Sequence, residues 1–238
     1  MAETTTMAAP RASFAEDFID IFYAPSSVFA RRRDASPWPA ILVVTGLFIV
    51  ATYIAYSLLG PVFDAEIQRR MAQAAGGASA EQMATVQKMG RITGMIGAAF
   101  AAPIGIAVLG LVLWVGGKIV GAEQPLRAAF MVIAFSFMPR VIESILGALQ
   151  AFVLDVNAMP SMYAAGLTPA RFAGPDTSEA MLALLSRFGP FLLWSYVLIA
   201  IGLRVTGRVS GAKAAAVAFC IWFLGTLAMV VPTLLRGA

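Results

Sequence analysis

The sequence predicts an all-α fold: a polytopic membrane protein, built as a five-transmembrane-helix bundle with an N-terminal amphipathic helix. Three observations predict it. Hydrophobic residues make up 60% of the 238 residues and charged residues only 13%, where soluble domains carry about 25% charged residues. The mean hydropathy is +0.82. Five apolar stretches are each long enough to cross roughly 30 Å of hydrocarbon. A water-soluble chain of this size still needs a charged surface; lipid as the solvent removes that need.

Residues 1–12 read as a disordered tail, and 13–37 as a cytoplasmic amphipathic helix followed by a basic juxtamembrane segment. Ser13-Phe14-Ala15-Glu16 has the form of a capping box, which marks a helix start. Phe14, Phe18, Ile21 and Phe22 recur at helical spacing, with Glu16, Asp17 and Asp20 on the other side. The polar face is acidic, unlike that of most membrane-surface helices, so the apolar face is expected to dock on the chain's own bundle or on a partner. Pro25 ends this helix, and 26–29 can cap a second short one. Arg31, Arg32 and Arg33 then precede the first span. They read as a topology signal or as a contact for anionic lipid headgroups.

The transmembrane domain covers 38–238, with spans at about 39–59, 92–115, 128–154, 182–203 and 214–234. Trp38, Tyr53 and Tyr56 are candidate interface anchors of the first span. In the long connection 60–91, Phe63, Ile67, Met71 and Ala74 suggest an amphipathic helix. Gly76-Gly77 breaks it, and Ser79-Ala80-Glu81-Gln82 looks like a capping box from which helix runs into the second span. With the N-terminus inside, nine Lys and Arg residues fall on the inner side and seven on the outer. That bias and the all-basic 204–213 loop give an N-inside, C-outside orientation. Acidic residues where an apolar signal core would lie argue against a cleaved signal peptide. Five spans cannot be divided into two equal inverted halves, as many secondary transporters are.

Pro103, Pro139 and Pro190 are expected to kink their spans. Gly94, Ala98 and Ala102, with Gly97, Ala101 and Gly105, form small-residue stripes on span two, which places that helix at the centre of the bundle or at an oligomer contact. Arg140 and Glu143 lie three residues apart in span three, on one helical face. Charge at mid-bilayer is costly, so the pair reads either as an ion pair that fixes packing or as a polar site for an ion, proton or headgroup.

Several function classes drop out. There is no histidine, and the lone Cys220 lies in an apolar run, so no catalytic set, no metal site and no cofactor is expected. Residues 207–214 echo a phosphate-binding loop but are one residue short and end in Ala214; no strand precedes them. The net charge of +4 sits beside apolar spans, so lipid headgroups rather than nucleic acid are the expected contacts. The expected partners are membrane lipids and either other membrane proteins or further copies of the chain.

Asp20-Ile21-Phe22-Tyr23-Ala24-Pro25-Ser26-Ser27-Val28-Phe29 resembles the opening of the Yip-domain family, in its bacterial branch. Pro37-Trp38-Pro39 at the first span, Pro139, Trp194 and the 210–216 run also fit, and the likeness covers roughly 14–235. The resemblance implies five membrane helices with a cytoplasmic N-terminus, and a bacterial inner-membrane location with the C-terminus periplasmic. In eukaryotes the family is associated with Rab GTPases and vesicle trafficking, through members whose longer cytosolic N-terminal region has no counterpart here. The expected function is a non-enzymatic accessory or scaffold subunit or membrane organiser. The alternatives are a small transporter or channel using Arg140 and Glu143, and lipid handling through a lateral opening.

Overall fold

A computed structural model describes residues 13–65, 68, 80–153, 155, 162–174 and 176–237. The expectations for 1–12, Ile67, Met71, Ala74, Gly76, Gly77 and Ser79 lie outside the described residues. Among those described there is helix and no strand.

Helix α1 (Phe14–Tyr23) opens on the expected capping box: the Glu16 amide donates to Ser13 Oγ at 3.2 Å, and the Ser13 amide to Glu16 Oε2 at 2.6 Å. Ala24 leaves helical geometry because the following proline crowds it, and Pro25 then starts α2 (Pro25–Arg32). Span one is α3 (Trp38–Leu58), with Pro39 harmlessly in its first turn. Residues 60–65 are helical, and Phe63 stacks on Tyr56 at 4.1 Å.

Helix α4 (Ala80–Ile119) is 40 residues long; at about 1.5 Å per residue it is roughly twice the hydrocarbon thickness. The segment Phe100–Ile119 is apolar enough to span, so helix does run unbroken from the connection into span two. Pro103 lies inside it. The helix stops where Gly121 adopts φ +83 and the Ala122 amide donates to Gly117 O at 2.8 Å, a left-handed glycine cap.

Span three is two helices, α5 (Leu126–Ser136) and α6 (Met138–Leu149), separated at Phe137. Pro139 sits in the first turn of α6, where its missing N–H costs no hydrogen bond. Short helix α7 (Glu179–Leu185) follows, capped by Ser178, before span four, α8 (Pro190–Gly207), and span five, α9 (Gly211–Gly237).

Two expectations need correcting. Pro190 does not kink a span: it is the first residue of α8, so span four is 190–207 rather than 182–203, and residues 179–185 form a separate helix. Of the two places expected for span two, the bundle centre or an oligomer contact, the centre is taken by span three. Residues 131–136 are all buried, and α5 and α6 between them pack on α3, α4 and α8. Span two is peripheral, with one covered face. The bundle therefore has an N-terminal end, carrying α1, α2 and the 120–125 and 208–210 turns, and an opposite end carrying α7.

Candidate functional site

The intramembrane pair expected in span three is present. Arg140 Nε lies 2.9 Å from Glu143 Oε2, with side chains 40% and 16% exposed. The approach is a charge contact too bent for a hydrogen bond, and the buried Nε has no acceptor among the described residues. Glu143 also faces Gly189, the residue that caps α8. A methyl there would lie 3.4 Å from Glu143 Oε1 and 2.9 Å from Thr168 Cγ2. The carboxylate thus stands at the positive end of the α8 dipole, tying span three to span four.

At the N-terminal end the acidic face of α1 meets the arginine triplet. Asp17, fully buried, accepts from Arg31 Nη2 at 2.5 Å and from Arg32 Nε at 2.5 Å. Asp20 accepts from Arg31 Nη2 at 2.6 Å. Hydrogen bonds to Asp20 and then to Asp17 hold the Arg31 guanidinium above its ordinary pKa. Arg31 and Arg32 are therefore engaged inside the chain, while the buried Arg33 Nε has no partner among the described residues. The apolar face of α1 is covered by the bundle: Phe18 lies 5.1 Å and Phe14 6.3 Å from Phe135 of α5. Ile21 is buried, and Phe22 packs against the same core. The opposite face leaves Ile19 63% and Tyr23 85% exposed.

Beside this cap, a cavity of about 800 Å³ opens between the starts of α3 and α5 and the middle of α4. Its walls include Ile41, Pro103, Ile106 and Phe130, and its mouth carries Asp34, Ser36 and Arg127. Arg127 Nη2 donates to Asp34 Oδ1 at 3.0 Å, with both side chains largely exposed. The sequence marked Arg127 only as a topology charge and did not mark Asp34. Their partnership spans 93 residues of chain and leaves no local signal.

Residues 19–231 match the Yip1 domain. The chain belongs to the Yip1-domain family. It is 28% identical over 192 residues to the membrane protein YknW of Bacillus subtilis (strain 168), a match covering 80% of this chain and 78% of that protein. No solved structure matches it.

This Yip1-domain protein uses its small residues on two faces. Gly94 lies under Tyr56, a methyl placed on Gly105 would lie 3.3 Å from the Phe137 ring, and Ala102 is buried. Gly97 and Ala101 are exposed, and among the described residues nothing stands within 4 Å of a methyl at Gly97. The side chain of Ala98 lies outside the described residues. Two further polar groups in this Yip1-domain chain escaped the sequence reading. Arg187 donates to Thr226 Oγ1 at 3.2 Å and Tyr196 Oη at 3.3 Å, while its carbonyl accepts from Trp222 Nε1 at 3.2 Å. Gln124 is 1% exposed with neither amide atom bonded among the described residues. Both sit next to helix ends, where sequence shows only a charge or an amide in a loop.

Proposed function

We propose that this Yip1-domain membrane protein is a non-enzymatic organiser or accessory subunit that works by association with other membrane chains. In this reading it lies in a bacterial inner membrane, with α1 and α2 in the cytoplasm and the C-terminus outside. The observation that carries it is the outward face of α1. The helix is fixed to the bundle by Phe14, Phe18 and the Asp17 carboxylate, yet Ile19 and Tyr23, one turn apart, project away from it. Large apolar side chains held rigidly in this way form a ready contact surface. Gly97 and Ala101 add a second one, inside the bilayer, where small residues let a partner helix approach closely.

The test is the double variant Ile19→Ser/Tyr23→Ser, which alters only exposed side chains. In mild detergent it should retain its helix content and thermal stability while losing the chains that co-purify with the parent protein. A variant that keeps every one of those chains would refute the assignment.

A further inference from the structure

The cavity beside Arg127 has the polarity of a phospholipid. Its volume of about 800 Å³ falls within the range of small-molecule sites. Its floor is apolar, formed by Ile41, Pro103, Ile106 and Phe130, and its charges are confined to one end. That end lies where α3 and α5 begin, so it stands at the membrane–water interface. Trp38, 67% exposed, marks the same level.

The mouth is not simply basic. Arg127 and Asp34 are 54% and 76% exposed, and so exposed a pair stabilises the fold little and is readily opened. Arg127 offers a planar guanidinium suited to two oxygens of a phosphate. Asp34 offers a carboxylate that accepts from an ammonium. A headgroup carrying phosphate and primary amine a short linker apart satisfies both. An anionic headgroup satisfies Arg127 but is repelled by Asp34, and a quaternary ammonium has no proton to donate. We propose that this groove binds a bilayer phospholipid with a primary-amine zwitterionic headgroup, its phosphate on Arg127, its ammonium on Asp34 and an acyl chain along Ile41 and Phe130. This site is independent of the protein contacts proposed above.

The full-length chain, purified in mild detergent and offered equal amounts of phosphatidylethanolamine, phosphatidylcholine and phosphatidylglycerol, is read by native mass spectrometry. The expected result is one tightly retained phosphatidylethanolamine, preferred over phosphatidylcholine by about fivefold. Asp34→Asn should abolish that preference while retaining phospholipid, and Arg127→Gln should weaken all three. Ala107→Phe, which fills the groove from an exposed wall position, should reduce retention of every lipid without lowering thermal stability. Equal retention of the three lipids by the parent chain would overturn the headgroup assignment. Unchanged retention in Ala107→Phe would overturn the groove itself.

Discussion

The buried carboxylate of Asp17 accepts from Arg32 Nε at 2.5 Å across the turn that separates α1 from α2. With Arg31 on its other oxygen, this one side chain sets the angle between the two helices and holds α1 against Phe135.

Replacing Asp17 by Asn should loosen that cap. Breaking a buried pair leaves the remaining charge uncompensated. The arginines are 35% and 24% exposed, so the expected loss is about 2 kcal/mol, below the fully buried range. Limited proteolysis should show faster cleavage within 13–37, with the spans untouched. The clamp should also persist in alkali. The folded pKa of Arg31 is raised, so its contribution is fully present below the unfolded value and is lost only as pH rises through the folded one. Raising the pH to about 9 should therefore leave the cleavage rate unchanged.

Gly202 should tolerate no side chain. A methyl there would collide with both methyls of Val132 across the α5–α8 contact, and overpacking of this kind costs about 1–3 kcal/mol. Gly202→Ala should lower the melting temperature. Combining it with Val132→Ala should recover about 1 kcal/mol relative to the sum of the two single effects.

The Arg140–Glu143 pair should behave as a packing element. Glu143→Gln should destabilise by about 1–3 kcal/mol by leaving Arg140 unopposed, whereas Arg140→Leu/Glu143→Leu together should be close to neutral. Thermal unfolding in detergent separates the two. A double variant as damaged as the single one would point to a role beyond packing.

Orientation can be read with impermeant thiol reagents after Cys220→Ala. Cysteine at Ser178, at the α7 end, should label from outside intact cells; cysteine at Ser36 should label only after lysis. The reverse pattern would invert the topology.

The sequence carried the parts of this fold that are local. The capping box at Ser13 and the apolar run of α3 each depend on residues that are neighbours along the chain. The Phe137 break and the start of span four were harder, because apolar residues stand on both sides of each. Gly189-Pro190 was the available signal: a proline is favoured at the first position of a helix, and the apolar residues 182–185 in front of it masked that reading. Arg140 and Glu143 were legible because three residues separate them. Asp34 with Arg127, and Arg187 with Thr226, were not, because those pairings are made by packing between elements distant in the chain.

Mild extraction of the native particle, with its mass and the identity of co-purifying chains determined together, tests the central claim most directly. Association as the mode of action predicts a stoichiometric complex containing at least one different membrane chain. A particle composed of this chain alone would contradict it.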